Sequence, residues 1–280
     1  MFLSRLVFLT SAAMLSFAAN SLLCRLALKH TGIDAASFTT VRLVAGALML
    51  WAVARFTRRG KEAGRGNWIS AVALFVYAIG FSFAYASLPA GTGALVLIAA
   101  VQVTMISYGL AKGERFSGAQ TLGLAIAVTG LVGLFLPGVS APPLLGSLLM
   151  LSAGVGWGVY SIRGRGAAHP IDVTTGNFVR AVPIAIGASL LLRSHASFDL
   201  AGVVYAILSG ALTSGLGYVI WYTALPWLKT TTASTAQLSV PVLTALGGIL
   251  FLGETLTLRL ALASAAILSG IALVVLTRRR

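Results

Sequence analysis

The chain has 280 residues, of which 58% are hydrophobic, 9% charged, 31 glycine and one cysteine. Little sequence remains between the apolar runs, so there is no room for a soluble domain, and a lone Cys24 excludes an internal disulfide. The net charge of +14 would suit a nucleic-acid partner, but its placement along the chain argues against one.

Ten apolar segments follow in chain order, approximately 6–24, 36–54, 68–87, 90–110, 118–136, 144–162, 174–192, 200–224, 230–251 and 257–277. Segments of this length cross a hydrocarbon core of about 30 Å at about 1.5 Å per residue. They lack the alternation of lipid-facing strands, so helices rather than a barrel are predicted. The fold class is an all-α polytopic membrane protein with ten transmembrane helices. The first segment, behind Arg5, resembles a secretory signal, but no small-x-small cleavage site follows and it reads as the first span.

With the N-terminus inside, the inner side carries Arg5, Arg55, Arg58, Arg59, Lys61, Arg65, Lys112, Arg115, Arg163, Arg165, Lys229 and Arg278 to Arg280. The outer side carries Arg25, Lys29, Arg193 and Arg259. Fourteen against four is a positive-inside bias that places both termini in the cytoplasm. Basic residues so arranged orient the chain in the lipid bilayer and meet anionic headgroups, so no nucleic-acid partner is expected.

The two halves echo each other. Arg25 and Arg42 recur 138 residues later as Arg163 and Arg180. Gly80 to Tyr85 with Leu88-Pro89 returns as Gly217 to Tyr222 with Leu225-Pro226, and Gly113-Glu114 and Gly130 return as Gly253-Glu254 and Gly270. Two five-helix units are predicted, 1–136 and 144–280, joined by a Pro- and Gly-rich loop over 137–143. Five is odd, so the second copy enters the membrane from the opposite face. Inverted repeats of this kind let a secondary carrier alternate between outward- and inward-open states by exchanging the conformations of its halves.

Several residues carry a family resemblance: Phe17-Ala-Ala-Asn20, Phe38-x-x-x-Arg42 and Tyr85-Ala-Ser-Leu88-Pro89 in the first unit. The second unit supplies Trp157-Gly-Val-Tyr160, Phe178-Val-Arg180, Tyr222-Thr-Ala-Leu225-Pro226 and Gly253-Glu254. With them the chain resembles the drug/metabolite transporter superfamily in its ten-helix form, made of two EamA-type units. Within that superfamily it looks most like the YddG-type exporters of aromatic and other amino acids, although Phe17-Ala18-Ala19-Asn20 replaces the common Trp-Gly-x-Asn. The resemblance implies a carrier of the bacterial inner membrane that exports small neutral or zwitterionic metabolites by alternating access, with no cofactor. Amino acids are the first expectation and other metabolites or drugs the alternative. It also implies a central cavity built chiefly from spans 1, 3, 4, 6, 8 and 9.

Those spans carry the candidate cavity residues. Tyr77, Phe81 and Tyr85 share one helix face at i, i+4 and i+8. Phe81 is matched by Tyr218 and Tyr85 by Tyr222, with Trp221 adjacent. Span 6 offers Trp157 and Tyr160, and span 1 offers Phe17, Asn20 and Ser21. Tyr85 and Tyr222, close to helix ends, fit an interfacial aromatic belt as well as a cavity. Gln102 and Gln237 fall near mid-membrane, where an amide must face the protein interior. Gln102, with Met105 and Gly109 on its face, is the stronger candidate for substrate contact.

All six acids, Asp34, Glu62, Glu114, Asp172, Asp199 and Glu254, fall in loops or at helix ends. Without an intramembrane carboxylate the cavity suits neutral or zwitterionic solutes rather than strong cations, and uncoupled facilitated diffusion becomes available. Arg42 and Arg180 are the charges read as deep within helices. They either snorkel to the interface or form gating pairs across the repeats, Arg42 with Glu254 and Arg180 with Glu114. Pro183 and Pro241 are expected to interrupt their helices, and Gly210, Gly215 and Gly217 to allow bending or close packing. His30, His169 and His195 lie in or beside loops without metal-ligand or nucleophile spacing, so neither catalytic nor metal residues are expected. A membrane enzyme, a non-transporting assembly protein and a channel are the remaining classes.

Overall fold

The structure, a computed structural model, describes residues 2–57, 65–113, 115–138, 141–165, 167–228 and 230–277, and the regular structure of these residues is helical throughout. The first half contributes α1 (Phe2–His30), α2 (Ala35–Thr57), α3 (Trp68–Tyr85), α4 (Ala90–Ala111) and α5 (Gly118–Phe135). The second contributes α6 (Leu144–Gly164) and α7 (Pro170–Leu191) as single helices. The eighth span is composite: α8 (Leu200–Leu208), a π-helical stretch (Ser209–Leu216) and α9 (Gly217–Ala224). The ninth is α10 (Thr230–Gln237) followed by α11 (Ser239–Leu252), and the tenth is α12 (Leu258–Leu276).

Local chemistry sets many of these boundaries. Asn67, Asp199 and Thr257 each accept a backbone N–H from the first turn of α3, α8 and α12, and Ser117 with Gln120 forms a reciprocal capping box on α5. Gly253 ends α11 in the left-handed conformation (φ 63°), which glycine adopts without steric cost, and turns Glu254 back over the helix end. Pro241 has no N–H to donate, and the ninth span breaks three residues before it, at Leu238. Pro183, in contrast, lies within a continuous α7, so that expected interruption does not occur.

Nine of the described helical spans are long and apolar enough to cross a membrane. The remaining one, α7, has 22 residues but carries Asp172, Asn177, Arg180 and Pro183. Nine candidate spans are therefore present among the described residues, with α7 a tenth helix of similar length. Outward faces are apolar, with Leu48, Trp51, Leu148, Leu190, Leu250 and Phe251 exposed, as expected where the surrounding solvent is hydrocarbon.

Helix packing respects the duplication. α3 lies along α6 as α1 lies along the eighth span, α4 meets α6 as α1 meets α11, and α2 meets the eighth span as α3 meets α7. The pairs α2 with α7, α4 with α11 and α5 with α12 are their own counterparts. Glycines allow the closest approaches: a Cβ on Gly156 would lie 2.8 Å from both the Ala73 carbonyl oxygen and the Tyr77 nitrogen.

Candidate functional site

Residues from spans 1, 3, 4, 6, 8 and 9 surround a cavity of about 50 Å³. Eight sequence candidates meet there: Phe17, Asn20 and Ser21 from α1, Tyr77 and Phe81 from α3, Trp157 from α6, Tyr218 from α9 and Gln237 from α10. Its volume is well below the roughly 300–1,000 Å³ of ordinary ligand pockets.

Aromatic contacts tie its walls together. Trp157 stacks on Tyr218 (centroids 5.3 Å apart, planes at 19°) and meets Tyr77 at 5.0 Å, while Tyr77 meets Phe81 at 5.3 Å. Phe17 closes the group against Tyr218 at 5.8 Å. Each such pair contributes about 0.5–1.5 kcal/mol beyond simple burial. The rings come from both halves, so any relative motion of the halves changes the shape of the cavity.

A polar chain crosses the same space. Asn20 Oδ1 accepts hydrogen bonds from Ser209 Oγ (2.7 Å) and Thr213 Oγ1 (3.2 Å), and its Nδ2 donates to the Tyr77 hydroxyl at 3.3 Å. The Tyr77 oxygen also accepts from Arg42 Nη2 at 3.1 Å. Sequence reasoning missed Ser209, Thr213 and Ser214, which belong to the π-helical stretch; Thr213 and Ser214 line the cavity. The available signal was the cluster Gly210, Gly215 and Gly217. A Cβ on Gly210 would overlap the Arg42 carbonyl, so close packing against α2 requires glycine there. Such π-helical turns occur often at functional sites.

Four other candidates lie elsewhere. Gln102 is buried in a separate apolar crevice between α4, α5 and α12, because its helix turns it away from the α3–α6 side. Met105 is half-buried and lines neither space. Tyr160 stands behind Trp157, stacked on it at 5.4 Å, with its hydroxyl 3.5 Å from Asn177 Nδ2. Trp221 packs edge-on against Phe17 at 6.2 Å within a second apolar cluster containing Met14 and Val240.

Both expectations for Arg42 are overturned. It neither snorkels nor pairs with Glu254: it is 2% exposed, with its guanidinium carbon 5.3 Å and 4.8 Å from the ring centroids of Tyr77 and Phe81. Nη1 has no hydrogen-bond partner among the described residues. A cation at this depth costs about 2.5–3.5 kcal/mol or more, of which cation–π contacts offset about 0.5–2 kcal/mol each.

Glu254 is engaged instead by Arg25, one of the basic residues assigned to the outer side. α1 extends to His30, so Arg25 lies within it, and its Nε is 3.2 Å from Glu254 Oε1. Geometry explains the exchange of partners, since α1 packs along α11 whereas α2 packs along α7 and the π-helical stretch. The pair borders a larger vestibule of about 420 Å³, also lined by Lys29, Thr92 and Pro142. Arg163, the repeat counterpart of Arg25, donates to Ser70 Oγ (3.2 Å) and Asn67 Oδ1 (3.3 Å). Arg180 Nη1 donates to the Gly176 carbonyl of its own helix at 2.9 Å, and its expected partner Glu114 lies outside the described residues.

Comparison with known proteins places this arrangement. An uncharacterised protein of Pseudomonas aeruginosa is 55% identical over 276 residues, covering 98% of this chain and 96% of that one. The threonine/homoserine exporter RhtA of Escherichia coli is 33% identical over 190 residues, covering 61% of this chain and 63% of that protein. A crystal structure of another protein superimposes with a TM-score of 0.69 over 99% of both chains at 20% identity, which establishes likeness of fold. The EamA-like transporter family matches twice, over residues 4–136 and 144–276. This multi-pass membrane protein, built from two repeats of one helical unit, belongs to the EamA-like transporter family.

Proposed function

We propose that the protein is a secondary carrier that exports small zwitterionic metabolites, amino acids first among them, through the cavity between its halves. The observation that carries this reading is the cavity wall: aromatic faces and neutral polar groups from both repeats, with no carboxylate among the lining residues. Rings accept the apolar part of a solute, while Asn20, Ser214 and Gln237 offer hydrogen bonds to its polar part. The Escherichia coli relative named a threonine/homoserine exporter supports amino acids as the class, and the rings support aromatic members within it.

In this reading the units 1–136 and 144–280 are inverted about the 137–143 loop. Ten spans cross a bacterial inner membrane and both termini are cytoplasmic. The paired helix contacts and the basic bias support that arrangement. Arg25 with Glu254 then closes the outer side in the present conformation.

Counterflow in liposomes tests the reading. Purified protein is expected to exchange phenylalanine or threonine, and Trp157→Ala is expected to lower exchange about tenfold or more through loss of its ring contacts with Tyr77, Tyr160 and Tyr218. Absence of exchange across a full amino-acid panel would overturn it. For orientation, reporter fusions after Arg65 and Thr277 should report the cytoplasm and one after Pro137 the outside; an external signal after Thr277 would refute the topology.

A further inference from the structure

We infer that Arg42 and Tyr77 together form the carboxylate-recognition point of the transport cavity, which rests on the carrier reading above. A guanidinium buried to 2% exposure needs a counter-anion, yet among the described residues the only ion pair within ion-pair distance joins Arg25 to Glu254. Arg42 spends one nitrogen on the Tyr77 hydroxyl and leaves Nη1 unpartnered. Tyr77 is in the complementary position. Its oxygen accepts from both Arg42 Nη2 and Asn20 Nδ2, and neither bond uses its own proton. A hydroxyl has one proton and two acceptor lone pairs, so that proton is left for an outside acceptor.

Two adjacent donors therefore lack acceptors, the Tyr77 hydroxyl of a cavity-lining residue and the charged Arg42 Nη1 beside it. A carboxylate, with two oxygens and no proton to donate, is the complementary group. Tyr77 and Phe81 line the cavity and also contact the guanidinium, which is not itself part of the lining. Widening of this small cavity on substrate entry brings Nη1 within reach. An α-carboxylate is common to all amino acids, so this anchor reads the backbone of the substrate while Trp157 and Tyr218 read its side chain. Cations lacking an acid group are repelled from the same point.

Binding and counterflow of matched pairs, phenylalanine against phenylalaninamide and threonine against threoninamide, test the inference on the full chain. Each acid is expected to raise the thermal-unfolding temperature of the wild type where its amide does not. Arg42→Gln is expected to weaken acid binding about 10- to 100-fold, as loss of one charge-assisted hydrogen bond implies, with Arg42→Lys intermediate. The wild-type comparison holds even if Arg42→Gln fails to fold. Equal binding of acid and amide by the wild type, or no binding of any of the four, would overturn the inference. Counterflow without discrimination between acid and amide would overturn the anchor and leave the carrier; discriminating binding without counterflow would overturn the carrier and leave the anchor.

Discussion

Arg25 and Glu254 meet across the boundary between the two repeats, with Arg25 Nε 3.2 Å from Glu254 Oε1 and each side chain about a tenth exposed. The pair also clamps the α3–α4 turn. Arg25 Nη1 donates to the carbonyls of Tyr85 (2.8 Å) and Ala86 (3.1 Å), and Glu254 Oε2 accepts from the Ala90 N–H at 2.8 Å. Four segments are thereby joined through one ion pair.

Glu254→Gln should release that clamp. It leaves the guanidinium with carbonyl partners alone and should cost about 1–3 kcal/mol, read as a lower unfolding temperature in detergent. In a Cys24→Ala background, a cysteine at Thr92 on the vestibule wall should label faster with an impermeant thiol reagent once Glu254 is neutralised. Unchanged labelling would show that the pair braces the fold without closing a path.

Trp157 and Gln102 should separate cavity from packing. Trp157→Ala removes the stack on Tyr218 and the contact with Tyr77 and should depress exchange about tenfold or more. Gln102→Leu, in its apolar crevice between α4, α5 and α12, should leave the substrate KM within about twofold, since it removes no cavity contact. A large KM change in Gln102→Leu would reassign the transport site.

Two glycines offer a packing control. Gly156→Ala places a methyl group 2.8 Å from backbone atoms of Ala73 and Tyr77 and should destabilise the α3–α6 contact by about 1–3 kcal/mol. Gly133→Ala meets nothing within 4 Å and should be neutral or stabilising by up to about 1 kcal/mol, as expected for a helix interior. Thermal unfolding of both proteins reads the difference; equal effects would contradict the close approach at Gly156.

Asp34 should contribute a pH-dependent component of stability. Burial pushes its carboxyl up, but hydrogen bonds from Ser37, Ser197 and Ala36 outweigh that and hold it below the usual carboxylate range. Its Oδ1 accepts from the Ala36 (2.9 Å) and Ser37 (3.0 Å) N–H groups at the start of α2, and Oδ2 from the Ser197 N–H at 3.0 Å. The folded value lies below the unfolded one, so the stabilisation is present above the unfolded value of about 3.9 and is lost as pH falls through the folded one. Asp34→Asn should remove that acid dependence and, as a weakened cap, lower stability by about 0.5–2 kcal/mol near neutral pH. Unfolding temperatures measured from pH 6 downward for both proteins would check the sign, on the scale of the roughly 3.9 reference value.

What the sequence by itself determined follows from properties that need no neighbour. Apolar runs give spans because bilayer thickness sets their length. Gly113-Glu114 and Gly253-Glu254 display the duplication because copies keep their spacing. Tyr77 and Phe81 fall on one face because helical periodicity alone places them there. Tertiary structure decided which faces meet. Gln102 and Gln237 looked alike at similar depth, yet only Gln237 reaches the cavity, because depth says nothing about the rotation of a helix. Glu254 met Arg25 rather than Arg42 because α1, not α2, runs beside α11, and helix adjacency is a property of packing that no single segment encodes. The π-helical stretch that delivers Thr213 and Ser214 likewise depends on α2 pressing against Gly210, a contact between segments far apart in the chain.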